Sequence, residues 1–483
     1  MLSPRPALLI SLALLPGLAQ AHSFGVIYTL PLPFWLYAWG AGAALIASFV
    51  VFGLMMSAAR PRPLRQGTPK PGWRVPLALS ALLKLPGLAL LVLCIATGWW
   101  GTPNAYANFN MTAFWIVLLL GLAYLSVLAG DLYAVLNPWR TLCAMIARLW
   151  PAAMRGLLRR GDRFGYLPAA ALYMGLIWIE LLGNSNPREL AHLLAAYTVL
   201  NLFDSALLGM RTWFTYWECL SVMFALLARM APVRISGIDV PGALQIHLRW
   251  PGTGLLEDRP PLSLLLFMVA MLATTAFDGL HETQLWYEFY WLWLYPEWLV
   301  GWAGSNPLAA FGKLREGYQW WQAGWLLIFP LFYFAAYAFA ILLAKGLCRT
   351  ALPLTELCRS FAYSLMPIVL VYHLSHYFTL LWTQGPKFLP LLSDPFGRGQ
   401  DWFGTAQWFA RINVPELAWV WNVQVGLIVA GHIASVYVAH LQALCLFSNR
   451  RQALLSQIPM LSLMLCFTVG GLWILSQPFQ GGR

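Results

Sequence analysis

Apolar runs long enough to cross a bilayer recur along nearly the whole chain, and short polar stretches separate them. A helix needs about 20 apolar residues to span the hydrocarbon core. Runs of that order cover 35–56, 76–99, 112–136, 167–183, 190–210, 262–280, 321–344, 357–382, Leu417–Leu446 and 454–476. The charges between them alternate in a consistent way. Arg60, Arg62, Arg65, Lys70 and Arg74 follow the first run, and Arg140, Arg148, Arg155, Arg159, Arg160 and Arg163 follow the third. Lys345 with Arg349, and Arg450 with Arg451, mark two later loops. Clustered Lys and Arg in short loops mark the cytoplasmic side.

Three stretches break the pattern. Residues 211–230 carry Trp213, Trp217 and Glu218, and a crossing there would put Arg229, Arg234 and Arg249 outside. The segment is therefore predicted to be a re-entrant or surface-lying amphipathic helix. Period-two alternation in RISGIDV and IHLRW predicts a short cytoplasmic hairpin within 233–258, with His247 exposed and inert. The stretch WYEFYWLWLYPEWLVGW, 286–302, is interrupted by Pro296 and reads as an external interfacial helix forming a lid. The fold class expected is all-α: a polytopic integral membrane helical bundle of about ten spans with added interfacial or re-entrant helices.

Composition removes the soluble alternatives. Hydrophobic residues make up 60% and charged residues 10%, against about a quarter charged in soluble domains. The 26 Trp and 19 Tyr suit aromatic belts at the two headgroup levels. The formal charge of +12 lies in the loops that set orientation, so the lipid bilayer is the expected partner and nucleic acid is not. The seven cysteines show no CxxC spacing and read as small buried hydrophobes. The first 21 residues have one Arg, an apolar run and an Ala19-Gln20-Ala21 cleavage site, a signal-peptide pattern. Residues 22–483 then form one membrane domain whose mature N-terminus starts outside the cytoplasm.

Candidate chemistry lies in ionisable residues inside apolar runs, where they are costly unless used. His373 and His376 stand near the middle of 357–382, about 60° apart on the helix and about 4.5 Å along it, so one face presents both. His432 on the next long run is expected at a matching depth, making His373, His376 and His432 a candidate metal set. His22, with its free amine, would add a chelate suited to copper. Zinc, copper and iron all accept imidazole and carboxylate, so the expected cofactor is a divalent transition metal. Asp278, His281 and Glu282 fall within five residues at the outer end of a span, as candidate catalytic groups. His440 lies about 12 Å beyond His432. His440, Asp131, Asp204 and Glu218 are candidates for a proton or polar relay. Glu180 lies near the outer end of its span.

Several blocks occur in a characteristic order: HSFG after the signal peptide, then LPLPFWLYAWG, GDLYAVLNPWR, TTAFDG, SLMPIVLVYHLSHYF and VQVGLIVAGH. Together they resemble a bacterial family of polytopic membrane proteins named fenitrothion hydrolase, from His22 to His440. The resemblance implies hydrolysis of organophosphate triesters, apolar small molecules, with release of a nitrophenol from a phosphorothioate. It also implies a bacterial inner-membrane location. It carries no catalytic residues with it, so the candidates rest on the residues themselves. Metal-bound hydroxide attacking phosphorus is the expected mechanism. The alternatives are a transition-metal or small-solute carrier, or a copper-binding redox subunit, and a second subunit is compatible with each.

Overall fold

The computed structural model describes residues 31–55, 72–158, 161–183, 186–240, 242–291, 310–408 and 415–477, with the single positions 301, 304 and 306. Among these, nine helices are long and apolar enough to cross a membrane. The chain is a multi-pass membrane protein built as an all-α bundle. The signal-like segment, His22 and most of the first basic loop lie outside the described residues.

The helix α1 (Phe34–Met55) is followed by a two-residue strand β1 (Trp73–Arg74), a short helix α2 (Leu77–Leu82) and α3 (Leu85–Trp100). The span α4 (Phe109–Ala129) is wound as a π-helix over Thr112–Leu122. It does not continue to residue 136 as its apolar run suggests. Gly130 adopts φ +87°, and Asp131 caps a separate five-residue helix α5 (Leu132–Leu136) by accepting from Ala134 N at 3.0 Å. The carboxylate thus ends one helix and starts another. Asn137 repeats the device for α6 (Pro138–Leu149), accepting from Arg140 N at 2.9 Å.

α7 (Leu167–Leu182), an apolar helix whose 16 residues leave it outside those nine, runs parallel to α10 (Leu262–His281). Their starts meet where Ser263 Oγ accepts from Tyr166 N (3.2 Å), and their middles meet at Tyr173 and Thr274 (3.3 Å). Between them in sequence lie α8 (Pro187–Leu208) and the 211–230 segment, whose regular part is the buried α9 (Cys219–Ala228). Nine of its ten residues are buried, and ten residues are too few to cross. Both ends of this segment also meet the level at which α7 and α10 begin. Tyr216 and Trp217 pack on Tyr166 and Phe164, and Arg229 bonds Asp258 at 2.7 Å and Gly254 O at 2.9 Å. This geometry is that of a re-entrant element.

The alternating stretch forms β2 (Val233–Ser236) and β3 (Gln245–Leu248), paired antiparallel. It is more than a hairpin, because β1 joins the other edge of β3 to give the order β1-β3-β2. His247 is not exposed and inert: it is half-buried, with Nε2 3.1 Å from Ser236 Oγ, and its ring fills the space a side chain at Gly72 would need.

α10 is the central post. Most of its residues are buried, and α7, α12 (Phe311–Cys348), α14 (Met366–His376) and α18 (Arg450–Ser476) pack around it. The short α11 (Gln284–Glu288) follows it directly. α14 is preceded by α13 (Leu354–Phe361) and ends at His376; α15 (Phe378–Gln384) and α16 (Phe388–Ser393) continue beyond a break at Tyr377. α17 (Leu417–Leu446) lies antiparallel to α14. Large apolar side chains on the outer surface of α12, such as Leu327, Leu331 and Phe332, are each at least 60% exposed. That exposure suits a surface solvated by lipid tails, as water would disfavour it.

Candidate functional site

The far ends of α7, α10 and α14 bring four ionisable side chains together. Asp278 sits one turn from the end of α10 and is 2% exposed. One of its oxygens, Oδ2, accepts from His376 Nε2 at 2.8 Å and from the Tyr377 hydroxyl at 2.7 Å. The same hydroxyl lies 3.3 Å from Glu180 Oε1 on α7. Because Nε2–H is committed to the carboxylate, the neutral His376 ring carries its lone pair on Nδ1. Nδ1 is buried and has no hydrogen-bond partner among the described residues.

The backbone explains why these groups meet. Gly279 is helical and does not cap the end of α10, which continues to His281. A Cβ at Gly279 would stand 3.6 Å from the His376 ring and 2.6 Å from Ile474 Cγ2. The glycine therefore allows α14 and α18 to close on the α10 surface beside Asp278. The break after His376 frees the next residue from the helix and lets Tyr377 reach Asp278 from a second direction.

Of the expected catalytic trio, only Asp278 enters this cluster through its side chain. His281 turns back on its own helix, with Nδ1 2.6 Å from Asp278 O and its ring stacked on Phe277 at 5.4 Å. Glu282 is half-buried and 3.5 Å from His281 Nε2. The predicted lid is described only to Trp291: Trp286 is buried between Phe277 (5.4 Å) and Trp321 (4.5 Å), an aromatic wall next to the site.

The three span histidines do not form one ligand set. His373 and His376 stand at the far end of α14, away from its middle, and bond different partners: His373 Nδ1 lies 2.9 Å from the Tyr124 hydroxyl. His432 is not level with them. Gln424 Nε2 donates to Ser375 O (2.8 Å), Val371 packs against Gly431, and Ser435 Oγ donates to Ser364 O (2.5 Å). That register sets His432 between one and two helical turns, ~5–9 Å, deeper than His373. Its Nδ1 is held by Ile428 O at 2.8 Å. Among the described residues no group of three or more His, Cys, Asp or Glu side chains is placed to hold a metal ion. His373, His376 and His432 thus do not meet at one point, and His22 lies outside the described residues.

The relay candidates are also separate. His440 is buried and pairs with Gln457, Nδ1 to Oε1 at 3.2 Å. Asp131 is the α5 cap already described. Asp204 is half-buried on α8 and pairs with no cation among the described residues. Glu218 is fully buried and caps α9, accepting from Ser221 N (2.6 Å), Leu220 N (3.2 Å) and the Tyr197 hydroxyl.

Sequence reasoning missed Tyr377 and Glu180 as partners. A tyrosine beside two histidines looks like part of an apolar helix, and the break that turns it inward leaves no Pro or Gly signal at that position. No protein-family model matches the chain, and no curated protein or solved structure matches it.

Proposed function

We propose that this membrane protein carries out general acid–base chemistry at the Asp278–His376 pair, as a hydrolase of apolar esters. Organophosphate triesters, the class implied by the sequence resemblance, are the proposed substrates. The observation that carries the reading is the bare, buried His376 Nδ1 opposite a ring nitrogen fixed by a carboxylate.

An Asp-held imidazole is oriented and its protonated form is stabilised, the requirement for a general base. His376 Nδ1 takes a proton from water as the water oxygen forms a bond to phosphorus. The phosphorus–aryloxide bond breaks with its electron pair on the aryloxide, and the imidazolium returns the proton to that leaving group. Asp278 stays ionised, with Tyr377 holding its shared oxygen. The aromatic wall of Phe277, Trp286 and Trp321 suits an apolar substrate arriving from the bilayer. The site would lie toward the outer side of a bacterial inner membrane, with the basic loops in the cytoplasm and the mature N-terminus outside.

Nitrophenolate release from a p-nitrophenyl triester by detergent-purified protein tests the reading. Removing a general base costs about 100- to 10,000-fold, so His376→Ala should lose activity on that scale, with Asp278→Asn close behind. Equal activity in folded His376→Ala would sink it. Elemental mass spectrometry beside a His373→Ala/His376→Ala variant is the second check. One or two zinc, copper or iron ions held by wild type and lost by the variant would restore the metal mechanism.

A proton-coupled carrier is the second reading. It is favoured by two more bare, buried nitrogens, Nε2 of His432 and of His440, further along α17. Uptake into sealed vesicles with no hydrolysis in detergent would select it, and His440→Ala should then matter.

A further inference from the structure

A second charged feature lies at the opposite, basic end of the bundle, where α6 packs beside the α2–α3 junction. Lys84 stands inside the apolar segment Leu77–Trp100 and is half-buried. Its flanking leucines Leu82 and Leu85 are 60% and 55% exposed on the outer surface. Arg140 and Arg148 of α6 lie within electrostatic reach of its ammonium, and α6 packs directly on α3. Two acids face these three cations among the described residues: Asp239, 3.4 Å from Arg140 Nη1 with its side chain 66% exposed, and Asp131, the α5 cap, which reaches Arg140 from the interior. Three positive charges against two acids leave a net positive charge here, with Arg140 the most enclosed of the three at 15% side-chain exposure.

The surroundings indicate what neutralises them. α6 is amphipathic, with Trp139 and Cys143 buried inward while Leu149 and Trp150 project at 89% and 67% exposure. A strongly exposed Leu-Trp pair beside an arginine is the arrangement of a helix lying in the headgroup layer, with apolar side chains in the acyl boundary and cations at phosphate level. Basic pockets between membrane helices at that depth take lipid headgroups.

We propose that Lys84, Arg140 and Arg148 form a binding site for the headgroup of an anionic phospholipid in the leaflet on the basic side. The lipid phosphodiester would sit between the α2–α3 junction and α6, and its acyl chains would run along Leu82, Leu85 and Leu149. Lys84 belongs to the apolar segment and would reach up to the phosphate, with its stem in the acyl region. The site is remote from Asp278 and does not depend on the reaction assigned there.

The test is native mass spectrometry of the detergent-purified full chain titrated with phosphatidylglycerol or phosphatidylcholine. Wild type should bind phosphatidylglycerol about tenfold more tightly than phosphatidylcholine, and Lys84→Gln/Arg148→Gln should lose that preference. The charge-keeping Lys84→Arg/Arg148→Lys variant should retain it, which separates lost charge from lost fold. The proposal is overturned if the two lipids bind wild type equally, or if the neutral variant keeps the preference. It is also overturned if inorganic phosphate displaces phosphatidylglycerol as fully as excess lipid does, since the site would then be one for free phosphate.

Discussion

Tyr377 shows how much of the candidate site rests on single atoms. Its hydroxyl shares Asp278 Oδ2 with His376, so Tyr377→Phe removes a donor to a buried carboxylate. A hydrogen bond to a charged group is worth about 1.5–3 kcal/mol. If the dyad works as proposed, triester hydrolysis by this variant should fall about 10- to 150-fold with the protein still folded. Unchanged turnover would leave Tyr377 a packing residue. Gly279→Ala probes the same site through the backbone. The new methyl meets Ile474 at 2.6 Å, under normal contact, so α18 must move or the helix must shift. Overpacking of this kind costs about 1–3 kcal/mol. We expect a lower apparent Tm in detergent together with weakened activity, and an unaltered Tm would show that α18 yields without cost.

At the scale of elements, the breaks decide where the polar groups go. α4, the 211–230 segment and the α14–α15 pair each stop at a residue that then holds a cap or a site: Asp131, Glu218 and Tyr377. Glu218 can be tested by paired substitutions. Glu218→Ala loses the α9 cap, about 1 kcal/mol, and leaves the half-buried Tyr197 hydroxyl only the weak partner Cys219 Sγ at 3.6 Å, about 0.5–1.5 kcal/mol more. Glu218→Gln keeps a carbonyl oxygen for the same donors. Thermal unfolding in detergent should therefore rank wild type above Gln and Gln well above Ala. If both variants fell equally, the charge at Glu218 would matter beyond its cap. These breaks also mark the limit of what the sequence discloses. Apolar run length locates the spans, because hydrophobicity over about 20 residues is a summed signal that tertiary packing does not reverse. The depth of one side chain is not summed. His432 and His373 look level when runs are aligned by their ends, but the Gln424–Ser375 pairing shifts them by more than a turn. Asp278 could be singled out from its position alone, whereas Glu180 joins it only because α7 runs parallel to α10.

For the whole molecule, the testable matter is which loops share a face. The charge alternation assigns the loops before α7 and after α9 to one side only if 211–230 turns back, and the contacts of both its ends at the level of Tyr166 and Asp258 require that return. By contrast, the loop after α16 meets the end of α3, where Thr102 N donates to Phe396 O at 3.0 Å, so it lies at the opposite face. Single cysteines at Arg155, Arg234 and Gln400, in a background with the exposed Cys445 and Cys466 replaced, read this directly. A membrane-impermeant maleimide applied to sealed vesicles of one orientation should label Arg155→Cys and Arg234→Cys together and leave Gln400→Cys untouched, and vesicles of the reverse orientation should invert the result. If Arg234→Cys instead followed Gln400→Cys, residues 211–230 would cross the bilayer, and α10 would start on the face where α7 ends. The parallel pairing that brings Glu180 to Tyr377 and Asp278 would then be lost, and the proposed acid–base site with it.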